Sequence, residues 1–297
     1  MATESAQAIA DSTSNGYLEV FLNSALSEGE ALGPLALLFL FLARFLPIIQ
    51  LSPFFGAKLL PNPVKLALAI SLFVIFLPKL LTVTTIPIGF NLYTVMLIAK
   101  ELVMGYIIGY LISIPFIIVQ SAGIIIDHQR GGAALMVNDP TIQNQSSPLG
   151  TLFNYTLIFV FFAIDAPFLF IDAIMLSYDV VPPDQFFNSS LFAPDTPFWL
   201  LQVGIMGQVV TIATQLATPA LLIMLMTDLF LGIANRLAPQ VQITFLGMSL
   251  KSLLGLLVVT LGWSLLVGQF QKQSLQWIQV VKDALTMIQF SYGTSGQ

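Results

Sequence analysis

The stretch from Leu92 to Ile126, LYTVMLIAKELVMGYIIGYLISIPFIIVQSAGIII, decides the class of this protein. Within it only the neighbours Lys100 and Glu101 are charged. Because a helix rises about 1.5 Å per residue, one of this length would reach roughly 50 Å, which exceeds the bilayer core of about 30 Å. The run shows no apolar/polar alternation, so it is not a barrel strand. It predicts a long membrane-type helix with a break near Pro115 or just after Ile126.

The composition supports the same class. The chain is 57 % hydrophobic and 8 % charged, far from the values of an ordinary soluble domain. Its net charge of −5 and scattered basic residues exclude nucleic-acid binding as a main function. With no Cys and a single His, disulfides, Cys-based zinc sites and iron–sulfur clusters are excluded, and most enzyme chemistry with them. We therefore expect no enzyme, no metal and no cofactor.

Five further apolar blocks accompany this stretch, at residues 32–51, 64–81, 152–176, 198–231 and 245–270. All of them except 198–231 have the length of a single membrane crossing, since about 20 apolar residues suffice. Block 198–231 is too long for one crossing and contains Pro219, which permits a kink. We predict an all-α, membrane-type bundle of about six long, partly broken helices arranged as hairpins.

The two ends of the chain differ from the blocks. Residues 1–16 are small and polar and lack the positive-then-apolar order of a cleavable signal, so we expect a flexible tail. Residues 17–26 have helical apolar spacing and predict a short helix at an interface. Residues 271–297 predict an amphipathic helix and tail, with apolar residues three or four positions apart: Leu275, Ile278, Val281, Leu285 and Ile288.

Charged residues inside or beside the apolar blocks are expected to avoid lipid. Each would cost on the order of 2.5–3.5 kcal/mol at the bilayer centre. They are either an ion or proton relay of a transporter or, the interpretation we favour, charges that find partners inside a multi-subunit bundle. Lys100 and Glu101 point about 100° apart on a helix, so they are predicted not to pair with each other. The set comprises Arg44, Lys100, Glu101, Asp165, Asp172, Asp228 and Lys251.

Small residues four apart predict close helix packing. Gly105 and Gly109 form one such step, and Ala213 and Ala217 another.

A polar segment between two apolar blocks is the most conspicuous part of the chain. It reads DHQRGGAALMVNDP at residues 127–140 and QSSPLG at 145–150. It lacks the glycine and lysine spacing of a phosphate loop, and His128 has no second histidine for a metal. Irregular backbone at membrane depth must be buried in protein or line a cavity. The residues leave two interpretations open, a re-entrant or pore-facing loop and an ordinary cytoplasmic connector.

Several spaced motifs in this sequence resemble one family. They are PFF at 53–55, IDHQRG at 126–131, SPLG at 147–150, SY at 177–178, NR at 235–236, APQ at 238–240 and KS at 251–252. Together, over residues 17–270, they resemble the SctT/FliR export-gate subunit of bacterial type III secretion. The QRG and SPLG signatures are closer to the virulence (injectisome) branch than to the flagellar one, although His128 and Val181 depart from that branch.

The resemblance implies a structural role in protein transport across the bacterial inner membrane. Family members are single-copy, multi-pass subunits of a pore for unfolded proteins, and they catalyse no reaction. The implied partners are the R (FliP-like) and S (FliQ-like) gate subunits, the U (FlhB-like) switch protein and the V (FlhA-like) export ring. Residues 17–270 would form one gate domain, with an R-like first half and an S-like hairpin at about 198–270.

The resemblance also suggests site residues. The segment from Gly131 to Asn144 would contribute to a plug that closes the pore. Charges at assembly contacts would include Arg44, Lys100, Glu101, Asp228, Arg236 and Lys251. The plug residues would be Gly131, Gly132, Ala133, Ala134, Leu135, Met136, Val137, Asn138, Asp139 and Pro140.

The alternative function is a secondary transporter for a small solute. Its coupling sites would be Asp165, Asp172 and Asp228. Such transporters often contain inverted repeats, and the two halves of this chain show no similarity in their charges or prolines. An intramembrane enzyme is disfavoured because the sequence contains neither a second His nor a Cys.

Overall fold

A computed structural model describes residues 32–55, 60–131, 147–187, 196–237 and 243–293. Over these ranges the protein is built from α-helices and one short 3₁₀ helix, Pro53–Phe55, and contains no strand. The predicted all-α class is therefore confirmed. The predicted tail 1–16 and interface helix 17–26 lie outside the described residues. The helices are α1 Gly33–Leu51, α2 Asn62–Val83, α3 Leu92–Gln129, α4 Pro148–Ala163, α5 Ala166–Val180, α6 Pro197–Leu237, α7 Ile243–Leu261 and α8 Trp263–Gly293.

The lengths and apolar composition of the helices are those of a multi-pass membrane protein. By length and composition, α1, α2, α3 and α6 can each cross a membrane. The pairs α4 with α5 and α7 with α8 are bent at short breaks, and counting each pair as one broken span gives up to six crossings. The apolar blocks thus predict where the helices lie, because long apolar runs leave the backbone no partner except itself.

The end of α3 lies close to the expected one just after Ile126, whereas two other apolar blocks contain breaks that were not expected. Helix α3 continues through Pro115 and ends at Gln129, three residues beyond Ile126. The block at 152–176, expected as one crossing, is interrupted at Asp165, whose φ of 54° lies in the left-handed region that Asp tolerates better than most residues. The block at 245–270 is interrupted at Gly262, after which α8 runs on through the predicted C-terminal helix.

Most of the apolar residues expected on one face of the C-terminal helix lie in the interior of the protein. Ile278, Val281, Leu285 and Ile288 are buried, whereas Leu275 is exposed. The buried apolar face of α8 therefore continues beyond residue 270, where the apolar block ends.

The chain divides into two compact units. The first unit comprises the described residues within 1–113, 168–200 and 278–297. The second comprises those within 114–167 and 201–277.

The core of the first unit is aromatic. Phe41 of α1 stacks on Phe45 at a centroid distance of 5.1 Å and on Tyr178 of α5 at 6.2 Å. Phe76 of α2 lies 5.6 Å from Phe41. Rings at these distances add about 0.5–1.5 kcal/mol per pair beyond the apolar area they bury.

Helices α1 and α3 approach each other backbone to backbone in the first unit. A Cβ atom at Gly105 would lie 2.9 Å from the carbonyl carbon of Arg44 and closer still to its oxygen. A Cβ at Gly109 would lie 3.0 Å from the carbonyl oxygen of Pro47. The predicted packing role of this glycine pair is confirmed, since no side chain fits at the crossing.

The second unit contains an antiparallel hairpin of α6 and α7. Asp228 of α6 pairs with Lys251 of α7. A Cβ at Gly255 would lie 3.3 Å from the sulfur of Met224, and one at Gly247 would lie 3.1 Å from Leu231. Later residues of α6 therefore lie beside earlier residues of α7, so the two helices run antiparallel.

The remaining core of the second unit lies around α4. Phe153 of α4 contacts Trp263 and Phe270 of α8 at centroid distances of 6.2 and 5.8 Å. Helices α3 and α4 cross at a pair of glycines, because a Cβ at Gly123 would lie 2.5 Å from the Cα of Gly150.

Replacing Gly105 by alanine tests the close approach of α1 and α3. We expect Gly105→Ala to destabilise the protein by about 1–3 kcal/mol, because the obstacle is backbone and cannot rotate away. The measurement is the midpoint of thermal unfolding of the protein purified in detergent. Gly204→Ala is the control, since nothing lies within 4 Å of a Cβ there. A Gly105→Ala midpoint at or above that of Gly204→Ala would contradict the prediction.

Candidate functional site

A fully buried arginine organises the charged residues of the first unit. The Nε and Nη2 of Arg44 donate to the two carboxylate oxygens of Glu101, with Nη2 to Oε1 at 2.7 Å. Its Nη1 donates to the carbonyl oxygen and the hydroxyl of Ser177, at 2.9 and 3.1 Å. Nη2 also donates to the carbonyl of Val181 at 2.7 Å. The contacts are as numerous as the five N–H donors of a guanidinium, so the charge is buried with its donors satisfied.

These contacts place positive charge at the C-terminal end of α5. The last carbonyls of a helix lack partners within it and carry a partial negative charge, which cations stabilise. Arg44 serves the carbonyls of Ser177 and Val181 in this way, and its guanidinium carbon lies 4.0 Å from the ring centroid of Tyr178. Both cation–π and hydrogen-bond attraction therefore draw α1 and α5 together.

Lys100 completes the same arrangement. Its Nζ donates to the carbonyls of Pro182 at 2.7 Å and Gln185 at 2.9 Å, just beyond α5. It also forms an ion pair with Glu101 at 2.6 Å, so the prediction that these neighbours do not pair is wrong. The four-carbon lysine side chain spans the 100° offset between adjacent positions, so its ammonium group reaches both Glu101 and the carbonyls beyond α5.

Asp184 fixes the segment after α5 to the end of α2. Its Oδ2 accepts hydrogen bonds from the backbone N–H groups of Thr85 and Ile86 at 2.7 and 2.9 Å and from the hydroxyl of Thr85 at 2.9 Å. The carboxylate is fully buried. We call Arg44, Lys100, Glu101, Ser177 and Asp184 the charge cluster.

A second buried carboxylate lies in the second unit, where the polar segment begins. Asp127 accepts hydrogen bonds from the hydroxyl of Ser147 and from the N–H of Leu149, and it forms an ion pair with Arg130 at 2.6 Å. Gly131 follows with φ of 91°, a conformation that suits glycine. The other predicted plug residues, Gly132 to Pro140, lie outside the described residues.

The remaining charged residues that the sequence analysis named belong neither to the charge cluster nor to the contacts of Asp127. Asp228 and Lys251 pair with each other within the α6–α7 hairpin, and both are partly exposed. Arg236 is exposed at the end of α6. Asp165 and Asp172 are exposed and form no ion pair within the part of the chain that the structure describes.

Comparison with known proteins decides the family. The profile of the family described as bacterial export proteins, family 1, matches residues 35–277, which include the charge cluster, Asp127 and the α6–α7 hairpin. This chain belongs to that family.

Relatives of this export-protein chain come from both secretion systems and flagella. The Yop proteins translocation protein T of Yersinia pestis is 31 % identical over 234 residues, covering 77 % of this chain and 86 % of that protein. The secretion system apparatus protein SsaT of Salmonella typhimurium is 28 % identical over 243 residues, covering 82 % and 90 %. The flagellar biosynthetic protein FliR of Pectobacterium carotovorum is 26 % identical over 219 residues, covering 74 % and 80 %. The similarity is somewhat higher to the secretion-system proteins.

An apolar cavity in the second unit of this export protein offers no countercharge to a charged solute among its described lining residues. Its volume is about 200 Å³, and it lies between α3, α6, α7 and the start of α8. Gln215 and Gln269 are the polar side chains among its described lining residues, and none of those residues is ionisable. Solute sites combine apolar walls with a few convergent polar or charged groups. The cavity therefore gives no support to a transporter of such a solute.

Sequence reasoning identified the charged members of the site but not their contacts. It named Arg44, Lys100 and Glu101 without pairing them, and it left Asp184 and Asp127 without a role. Ser147-Pro148 is the sequence signature of a helix start. This signal could have suggested Asp127, a carboxylate at the end of the preceding helix, as an acceptor for the N–H groups of the first turn.

Neutralising Glu101 tests the charge cluster. Glu101→Gln leaves the buried Arg44 without a countercharge, and we expect a loss of about 3–5 kcal/mol in stability and much lower recovery of the folded protein. Asp179→Asn is the control, because Asp179 pairs with Lys79 at 2.5 Å on the surface, where a pair contributes about 0–1 kcal/mol. Equal recovery of both variants would refute a stabilising role for the cluster.

Proposed function

We propose that this chain is a structural subunit of the type III secretion export gate, where it helps to form and close the pore through which unfolded proteins cross the bacterial inner membrane. The observation that carries the proposal is the family match over residues 35–277, together with similarity to secretion-apparatus proteins over most of their length. The chain acts by its shape and contacts and performs no catalysis.

The surface of the helices supports a role inside a larger assembly. Most of the apolar side chains of α2 and α6 are uncovered within this chain, whereas α1 and α3 are mostly buried. Lipid would cover such faces, but it would not accept Asp172, which is exposed on α5 and would cost on the order of 2.5–3.5 kcal/mol at the bilayer centre. Asp172 is therefore proposed to face a neighbouring subunit or water.

The proposed partners are the R (FliP-like) and S (FliQ-like) gate subunits, the U (FlhB-like) switch protein and the V (FlhA-like) export ring. Residues 17–270 are proposed to act as one gate domain, with 198–270 as its S-like hairpin and 271–297 as the amphipathic end. The antiparallel register of α6 and α7 agrees with such a hairpin, and the Asp228–Lys251 ion pair joins its two helices.

The segment from Gly131 to Asn144 is proposed to contribute to the plug of the pore. Residues 133–137 read AALMV, and short side chains with a flexible methionine suit a compressible seal. Gly131 and Gly132 would provide the hinge, because glycine accepts backbone angles that other residues resist.

Co-purification tests the proposed function. From membranes of the native host, the tagged chain should be recovered in a complex with two different hydrophobic proteins, and native mass spectrometry should give one copy of this chain per complex. A secondary transporter would instead be stable alone or as a homo-oligomer. Recovery of only the single chain or its homo-oligomer would contradict the gate assignment.

Shortening the segment tests the plug. Deleting residues 133–137 should leave assembly intact but allow small ions or dyes to leak through the closed gate, because the seal is removed. Conductance of cells carrying the shortened chain is the measurement. Replacing Gly131 and Gly132 by Val should instead reduce export without a leak. Wild-type conductance of the deletion variant, with the complex present, would refute the plug role.

A further inference from the structure

One face of α5 is left uncovered within the first unit. Its residues follow each other at helical spacings of four, three and four, so they share one side of the helix. Both carboxylates of this face are exposed, and Phe168 is 67 % exposed. The opposite side of α5, with Phe170, Ala173 and Ser177, is buried in the core. We call the uncovered side the acidic face, and it consists of Phe168, Asp172, Met175 and Asp179.

One of the two carboxylates of the acidic face has its countercharge in this chain. Asp179 pairs with Lys79 of α2, Nζ to Oδ1, at 2.5 Å. Helix α2 carries one further charged residue, Lys65, which is buried and donates to Gln50 at 3.0 Å. The helix that neutralises Asp179 therefore has no other cation to offer to Asp172.

The rest of the described chain does not supply a cation to Asp172 either. The sequence contains ten lysines and arginines, and Lys58 lies outside the described residues. None of the others forms an ion pair with Asp172 within the described ranges. Asp172 precedes Asp179 by seven residues, which is about 10 Å along a helix, so Lys79 cannot serve both carboxylates.

The surroundings of Asp172 are apolar. Phe168 and Met175 flank it on the acidic face. Helix α2, beside α5 at the Lys79–Asp179 pair, exposes Ile70, Val74 and Ile75. Lipid would cover such side chains but not a charged carboxylate, and a surface that faces water would carry more polar groups. An apolar helix with one basic side chain complements both the apolar residues and the charge.

We propose that the acidic face binds a membrane helix of a neighbouring subunit, and that a lysine or arginine of that helix pairs with Asp172. The inference rests on the proposed function and adds to it a defined contact. Because Asp172 is a single charge between apolar residues, the pair also sets the position of the neighbour along α5. A shift by one helical turn would place the partner's charge against an apolar side chain.

Variants of Asp172 test the pairing through recovery of the complex from membranes of the native host. Asp172→Asn removes the charge, Asp172→Lys reverses it, and Asp172→Glu keeps it. Asp179→Asn is the matched control, because it neutralises a carboxylate of the same face whose cation lies in this chain. Each isolated variant should unfold in detergent at the wild-type midpoint. A lower midpoint for isolated Asp172→Asn would assign Asp172 to a partner within the chain and overturn the proposal.

We expect Asp172→Asn and Asp172→Lys to lower the amount of complex by about ten-fold or more, because the neighbour's cation loses its countercharge or meets a like charge. Asp172→Glu and Asp179→Asn should assemble as the wild-type chain does. Wild-type recovery of Asp172→Asn or of Asp172→Lys overturns the pairing.

A photoreactive residue identifies the helix that covers the acidic face. With p-benzoylphenylalanine in place of Phe168, one turn from Asp172, illumination of the complex should cross-link a neighbouring helix that contains a lysine or arginine. Changing that basic residue to aspartate should restore assembly of Asp172→Lys. Cross-links to lipid alone, or no restoration by the reversed pair, overturn the proposal.

A thiol at the same position reports access of water. The chain has no cysteine, so Phe168→Cys carries its only thiol. A charged, water-soluble thiosulfonate should modify it in the isolated chain but not in the complex. Equal modification in both would show that the face borders water and would overturn the pairing.

Failure of this proposal is distinguishable from failure of the proposed function. If the wild-type chain is recovered only alone or as a homo-oligomer, the gate assignment fails and the pairing with it. If the wild-type chain assembles with two different hydrophobic proteins and Asp172→Lys does so equally well, only the pairing fails.

Discussion

The first unit depends on the burial of a guanidinium and a carboxylate in apolar surroundings. Removing the charges of Arg44 and Glu101 from water costs several kcal/mol per ion, which their attraction repays only when the remaining donors and acceptors are also satisfied. This condition requires α1, α3 and the end of α5 to meet at one point. Gly105 permits that meeting because its missing side chain leaves room for the backbone of Arg44.

Helix ends explain where the few charges of this protein lie. An apolar environment offers no water to the unpaired N–H and carbonyl groups at helix termini, so side chains from other helices must replace it. Arg44 and Lys100 serve the C-terminal end of α5 and the carbonyls beyond it, and Asp127 serves the N-terminal end of α4. Charges that would be costly in lipid thus stabilise the turns of the chain.

This distribution of charge suits a gate subunit better than a carrier of small solutes. Asp228, a potential coupling site, is already paired with Lys251, and the described residues that line the apolar cavity carry no ionisable group. The uncovered apolar faces of α2 and α6 need a neighbour or lipid to cover them.

The sequence by itself determined the membrane-type all-α class, the approximate bounds of most helices and the identity of the critical charges, because run length and composition are local properties. It also identified the Gly105–Gly109 step. Only the tertiary structure decided which charges meet, since Arg44 and Glu101 are 57 residues apart and Arg44 and Val181 are 137 apart. It also decided that Lys100 pairs with its neighbour and that the breaks fall at Asp165 and Gly262. Those outcomes depend on contacts between distant segments, which no local pattern records.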